Sequence, residues 1–242
     1  MRILVTGGAG YLGSELCRQA VEAGHDVVAT QLRRPAPFGR PLTVDLREPF
    51  AVPDVDVVVH TAYVQADPEM IVHSTRNVAE AARGTRLIHL STDLVFDGEH
   101  APYAEVDLPR PASEYGRAKL AAESLVDGLV VRTSLLYGRP GPQEALAHRD
   151  RAVFYTDEIR SPTHVSDLAA ALLELAALEA TGVLHVAGPE AVSRLELARL
   201  LGARDPQGAP APAGRARNVA LDSSRAASLL ATRLRGVREI EP

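Results

Sequence analysis

The sequence predicts an α/β protein built on a doubly wound parallel sheet, with a small, discontinuous lobe toward the C-terminus. Three observations predict it. Short runs rich in Val, Ile and Leu alternate with helical patterns along the chain. Their apolar residues occupy successive rather than alternate positions, the pattern of strands covered on both faces. A glycine-rich turn joins the first run to the first helical pattern. Strand–helix–strand alternation then makes the strands parallel, with the helices as crossovers.

Residues 3–6 are the first expected strand and 11–23 the first helix. Leu12, Leu16 and Ala20 form one apolar stripe, and Gly24 stands where a helix ends. Residues 26–30 and 55–60 are the next strands. Asp67-Pro68-Glu69 opens a helix over 68–82, with a capping acid, a proline in the first turn and a second acid at the positive end. Residues 87–92, 129–133 and 183–187 are further strands, and 113–126 and 165–178 further helices. Residues 204–217 (RDPQGAPAPAGRAR) read as a surface loop and 139–150 as a second irregular stretch. There is no internal repeat.

Composition narrows the function classes. The 242 residues are 46% hydrophobic and 24% charged, which excludes disordered and fibrous proteins. A formal net charge of −5 offers no overall field for nucleic acid. Aromatic residues are 4% and Trp is absent, which argues against a stacking platform for single strands. Cys17 stands alone, so no intrachain disulfide forms, and the expected location is cytoplasmic, with Cys17 a small core residue. No apolar run reaches the ~20 residues of a membrane helix, and the N-terminus does not read as a signal peptide.

The glycine turn carries the first chemistry. In TGGAGYLG, Gly7 permits a tight turn, Gly10 lets a pyrophosphate approach the backbone, and Gly13 lets the helix pack against the strand. Tyr11 and Leu12 open the helix, whose N-terminus favours phosphate. This is a dinucleotide fingerprint in a Rossmann-type sheet. An acid at the end of the second strand would select NAD, but Arg33 and Arg34 stand there instead. A guanidinium pairs with a 2′-phosphate, so NADP(H) is favoured over NAD(H), the other reading being two solvated loop charges. Asp45 and Leu46 border the adenine, or simply end a strand; Thr61, Ala62 and Tyr63 border the middle of the cofactor on the same terms.

Tyr115 and Lys119 form a Y-x-x-x-K on a predicted helix, one turn apart on one face. A cation there favours the phenolate, which allows Tyr115 to exchange a proton near neutral pH. Ser91-Thr92-Asp93 ends the fourth of these strands, at the sheet edge where such folds bind ligands. Thr92 there donates a hydrogen bond to a carbonyl oxygen, or the cluster caps a turn. His60 is expected to be a buried, hydrogen-bonded core residue. His89, His164 and His185 show no ligand spacing, so no metal is expected.

These motifs resemble those of an extended short-chain dehydrogenase/reductase, and more closely the dTDP-4-dehydrorhamnose reductase branch. The blocks are TGGAGYLG (6–13), LSTDLVFDG (90–98), YGRAKLAAE (115–123), VRTSLLYG (131–138) and SPTHVSDLA (161–169), with weaker similarity in HVAGPEAVSRLELARLL and NVALDSSR. The resemblance implies an NAD(P)H-dependent reductase of a 4-keto group on a nucleotide-linked deoxysugar. It makes Tyr115 the proton donor and Lys119 the residue that holds the nicotinamide ribose. Thr92 orients the keto oxygen, Asp93 lies beside the sugar, Arg132 lies near cofactor or substrate, and Arg160 is a candidate partner for the substrate diphosphate, the other reading being an exposed loop arginine. It also implies a possible homodimer. The implied organisation is an NADP(H)-binding core over 1–138, rejoined by roughly 163–189, with 139–162 and 190–242 as the substrate-binding lobe. The chain departs from the family in a short 139–151 segment, in Ala118 before the lysine, and in Ile71 where Asn is usual. Two alternatives stay open: epimerase or dehydratase chemistry on the same scaffold, and a non-catalytic NADP-binding regulatory subunit.

Overall fold

A computed structural model describes residues 1–138 and 141–239. Its elements run β1 (Arg2–Thr6), α1 (Tyr11–Glu22), β2 (Asp26–Gln31), β3 (Arg40–Thr43), β4 (Val57–His60), α2 (Pro68–Ala81) and β5 (Arg86–Thr92). A 3₁₀ turn (Asp93–Val95) and α3 (Glu114–Glu123) follow, then β6 (Leu129–Thr133), β7 (Leu136–Tyr137), α4 (Pro142–Ala147), β8 (Val153–Tyr155), β9 (Ile159–Arg160) and β10 (Thr163–His164). The chain continues through α5 (Val165–Ala177), β11 (Gly182–His185), β12 (Val192–Ser193), α6 (Arg194–Leu200), β13 (Gln207–Ala209) and α7 (Ser224–Leu229).

Seven strands form one sheet in the order β3-β2-β1-β4-β5-β6-β11. β1 pairs in parallel with β2 and β4, β2 with β3, and β4 with β5. The order reverses at β1, the doubly wound arrangement whose ligands sit beyond the strand C-termini near the reversal. The central strands are buried on both faces: all four residues of β4, all five of β6 and four of five in β1. That explains why their sequences are continuous apolar runs.

The expected helix signals act as read. Asp67 accepts a 3.0 Å bond from the Met70 amide, with Pro68 opening α2. Gly24 turns the chain after α1 at φ +80°. Leu12, Leu16, Cys17 and Ala20 of α1 are buried. β3 was not among the expected strands, because it is a largely exposed edge strand with no apolar run. Two irregular stretches contain short elements. α4 falls within 139–150, of which Arg139 and Pro140 lie outside the described residues. β13 falls within 204–217 and pairs with β8.

Contacts divide the chain into two compact units. The first comprises Met1–Ser91, Arg117–Val131 and Ala169–Val183. One side of its sheet is packed by Leu4, Val28, Val58, Val78, Ala82 and Leu87. The second comprises the described residues of Thr92–Gly116, Arg132–Leu168 and Leu184–Pro242. Its core gathers Tyr137, Ala147, Phe154, Val192, Leu197, Ala198, Leu201 and Val237. Three two-stranded pairings brace it: β7 with β10, β9 with β12, and β8 with β13. No helix among the described residues is long and apolar enough to cross a membrane.

Candidate active site

In the first unit the glycine turn is spatially obligatory. Gly7 has φ +75°, a left-handed conformation that costs a side-chain-bearing residue energy. A Cβ on Gly13 would lie 2.2 Å from the Gly7 carbonyl oxygen, so α1 packs onto the turn only because Gly13 has none. A Cβ on Gly10 would meet only the Gly7 oxygen within 4 Å, at 3.0 Å, so its outer face is otherwise bare. Gly10 caps α1 with no side-chain hydrogen bond, followed by Tyr11 and buried Leu12. The Gly7 amide is held by Thr30 Oγ1 at 2.9 Å. A bare glycine face before an uncapped helix start fits a dinucleotide phosphate.

The end of β2 carries Gln31, whose amide nitrogen donates to Thr43 Oγ1 at 3.1 Å. Arg33 and Arg34 are exposed just beyond it. Asp45 accepts from Arg47 Nε at 2.9 Å; these hydrogen bonds, with Arg33 adding attraction, hold its carboxyl down to about 2. Leu46 accepts from Asn77 through its carbonyl at 2.9 Å. Thr61 Oγ1 donates to the Thr6 carbonyl at 2.7 Å, and the Ala62 amide reaches Thr6 Oγ1 at 3.3 Å. Tyr63 is half exposed, its ring 5.1 Å from Lys119 Nζ.

Lys119 is 3% exposed, and Nζ donates to the Leu90 carbonyl on β5 at 2.6 Å. Burial pushes its ammonium down to about 8, opposed by Glu123. Glu123 is itself held by the Ser91 hydroxyl. Ala118 and Ile71, two departures from the family pattern, are buried core residues. Beside Lys119 lie two fully buried histidines, His60 and His89, paired across β4 and β5 with ring centroids 5.1 Å apart. His60 Nδ1 lies 2.7 Å from Thr6 Oγ1 and Nε2 3.2 Å from Thr75 Oγ1. Thr75 spends its hydrogen on the Ile71 carbonyl, so His60 donates from Nε2. Burial and the Lys119 charge push His60 down to about 3 and His89 well below its usual range. His60 is thus the core histidine expected from the sequence, and Cys17 is likewise a buried core thiol.

In the second unit Thr92 caps the 3₁₀ turn, accepting from the Leu94 amide at 3.2 Å and donating to Asp93 Oδ1 at 3.1 Å. Asp93 is completely buried. It accepts from Ser134 Oγ at 2.5 Å and from Arg160 through two guanidinium nitrogens, Nε at 2.6 Å and Nη2. Arg160 also reaches Glu158, whose other oxygen accepts from Arg215 Nε at 2.9 Å and Nη2 at 2.7 Å. Arg160, expected at the substrate diphosphate, therefore has its guanidinium engaged by two carboxylates. Arg132 lies in β6 with its guanidinium 5.3 Å from the Phe96 ring centre. Tyr115 lies in the first turn of α3, partly buried, four residues before Lys119. The following glycine is structural: a Cβ on Gly116 would lie 2.1 Å from the Leu94 carbonyl oxygen, so α3 seats against the Thr92 turn only with glycine there.

Ser134, Glu158, Arg215 and Gly116 escaped the sequence reading. A glycine inside a helix is a flag for close approach, so Gly116 was legible. Ser134, Glu158 and Arg215 carried no signal, since their importance comes from long-range pairing. Among the described residues no group of His, Cys, Asp and Glu could hold a metal ion.

A doubly wound parallel sheet, a glycine fingerprint on its first crossover and a Y-x-x-x-K helix after the fourth central strand define an extended short-chain dehydrogenase/reductase. Comparison with known proteins narrows this. Residues 1–240 match the family model described as RmlD substrate binding domain, and the chain belongs to that family. The dTDP-4-dehydrorhamnose reductase of Mycobacterium tuberculosis is 35% identical over 232 residues, covering 82% of this chain and 73% of the relative. The crystal structure of a hypothetical dTDP-4-dehydrorhamnose reductase from Sulfolobus tokodaii superposes with a TM-score of 0.83 at 28% identity, covering 97% of each chain. MoeE5 in complex with UDP-glucuronic acid and NAD superposes with a TM-score of 0.84 at 28% identity, covering 99% of this chain and 96% of that one.

Proposed function

We propose that the protein is an NAD(P)H-dependent reductase of a keto group on a nucleotide-linked deoxysugar. The observation that carries it is Tyr115 and Lys119 four residues apart on α3, with the lysine tied to Leu90, two residues before Thr92. The relative and the MoeE5 complex support the substrate class, since the one is named for a dTDP-linked keto sugar and the other binds a UDP-sugar with NAD.

Gly7, Gly10, Tyr11, Leu12 and Gly13 fit the pyrophosphate of the dinucleotide, which supplies a hydride when bound. Asp45, Leu46, Thr61, Ala62 and Tyr63 border it. Arg33 and Arg34 favour NADP(H), because the end of β2 offers Gln31 and two guanidiniums instead of an acid that would bind a ribose hydroxyl. Lys119 binds the nicotinamide ribose and keeps a positive field beside Tyr115. Its fixed hydrogen bond to Leu90 leaves the remaining N–H groups of the ammonium for that work. Tyr115 gives its phenolic proton to the carbonyl oxygen as it becomes an alcohol.

Thr92 orients the keto oxygen, and Asp93 lies beside the sugar with its carboxylate held by Arg160 and Ser134. Arg132 flanks the same strand ends. Residues 1–138, rejoined by roughly 163–189, form the NADP(H)-binding core of this reading, and 139–162 and 190–242 its substrate-binding lobe. The protein acts in the cytoplasm, and a homodimer is the oligomer expected of it.

NADPH oxidation measured across a panel of nucleotide 4-keto-sugars tests the reading. Turnover of one of them supports it. Cofactor consumption that nets to zero with rearranged sugar would favour epimerase or dehydratase chemistry. Cofactor binding with no turnover would favour a regulatory subunit.

A further inference from the structure

The second unit carries a cleft that the proposed reaction does not use. It has a volume of about 310 Å³, at the lower end of small-ligand sites, and lies between residues 147–152 and 204–207. Buried Ala147 and Phe154 line it. The two turns lead into one strand pair: β8 and β13 run in parallel, with Val153 opposite Gln207. The cleft is therefore at the entry of both strands. Glu158 and Arg160, the latter on Asp93, follow β8 at its other end, so the cleft is apart from the Thr92 turn.

Three arginines line the cleft, Arg149 and Arg151 on one turn and Arg204 on the other, with Asp150 and Asp205 beside them. None of these five side chains makes an ion pair or hydrogen bond among the described residues. By contrast Arg217, Arg235 and Arg238 of the same unit each pair with a carboxylate. The backbone is unusual at matching places. Arg151 has φ +57° and Asp205 φ +47°, and each stands two positions before its strand. Asp enters this left-handed region readily, but a long side chain does so at a cost. Such strain persists where the surroundings impose it, and it gathers at ligand sites.

We infer that this cleft is a second binding site, for a hexose phosphate, with Arg151 and Arg204 holding the phosphate from the two turns and Asp150 and Asp205 accepting hydrogen bonds from sugar hydroxyls. Unpaired guanidinium forks on both walls match phosphate oxygens. A phosphate alone would leave most of the cleft to water, whereas a sugar ring fills it and meets the carboxylates. One wall belongs to the short 139–151 segment in which the chain departs from its family. The inference does not rest on the proposed reaction.

The test is calorimetric titration of glucose 1-phosphate, glucose 6-phosphate, glucose and inorganic phosphate into the full-length protein. Saturating NADPH and dTDP are present, so that the sites of the proposed reaction are filled. At least one hexose phosphate should bind, more tightly than inorganic phosphate, and glucose should not. Arg151→Gln and Arg204→Gln should each weaken it by about tenfold or more, the scale of a charge-assisted contact. Arg151→Gly relieves the left-handed turn, so it should unfold no earlier than the parent and still lose affinity. Unchanged NADPH affinity and thermal unfolding confirm that the variants fold. Absence of binding by both hexose phosphates overturns the inference, as does binding that the two Gln variants leave undiminished. Inorganic phosphate bound as tightly as the esters overturns it too, the cleft being a simple anion trap. Each of these outcomes leaves the reductase reading intact.

Discussion

Arg160 grips Asp93 across 67 positions of sequence, its Nε 2.6 Å from Oδ2 and its Nη2 on Oδ1. Both side chains are buried, at 4% and 0% exposure. This pair sets the position of the residue after Thr92. Arg160→Met leaves a buried carboxylate without its counter-charge, at an expected cost of about 3–5 kcal/mol in stability. Adding Asp93→Asn to that variant should recover part of the loss. Urea unfolding of the single and double variants measures this, and additive losses would mean the pair is not coupled.

Tyr115→Phe keeps the ring and removes the hydroxyl. Turnover should fall by on the order of 10²–10⁴, the usual contribution of a general acid. NAD(P)H affinity should hold, because ribose binding is assigned to Lys119. Lys119→Met should lower both rate and cofactor affinity. Steady-state rates with cofactor titrations separate the two, and full turnover in Tyr115→Phe would remove it as proton donor.

The two buried histidines make a pH prediction. His60 and His89 titrate below their ordinary range in the folded chain and near 6.5 when unfolded. Between those values the unfolded chain binds more protons, so stability rises with pH. The stability is therefore present above about pH 6.5 and is lost as the solution is acidified below it, by up to about 1.4 kcal/mol per pH unit for each histidine. Urea midpoints from pH 7 to pH 4 read the slope. His89→Leu should flatten it, since neither His89 ring nitrogen has a hydrogen-bond partner among the described residues.

Cofactor choice is tested at Arg33 and Arg34. NADPH should bind more tightly than NADH by about 1–3 kcal/mol, the worth of hydrogen bonds to a charged phosphate. Replacing both arginines by Ala should erase the difference and leave NADH unchanged. Fluorescence titration of both cofactors decides it; equal affinities in the parent would refute the preference.

Gly13→Ala and Gly116→Ala act on two different sites. The first drives a methyl into the Gly7 carbonyl oxygen, 2.2 Å away, and should cost cofactor affinity by more than about tenfold. The second drives one into the Leu94 oxygen, 2.1 Å away, displacing α3 from the Thr92 turn. It should cut turnover while cofactor affinity falls less. Paired affinity and rate measurements check both.

The six apolar runs, the Asp67 cap, Gly24 and the TGGAGYLG turn were legible along the chain because each acts within a few residues. Periodicity reports which faces are covered, and a cap or a tight turn is a local demand for one residue type. The same holds for Y-x-x-x-K, where helical geometry alone brings two side chains to one face. Residues whose role depends on partners dozens of positions away were not legible. Nothing near Glu158 in the sequence shows that it bridges Arg160 and Arg215, or that Ser134 donates to Asp93. Arg33 and Arg160 look alike as letters. Folding leaves the first in solvent and commits the second to two buried carboxylates, because desolvation and pairing are set by which strands meet.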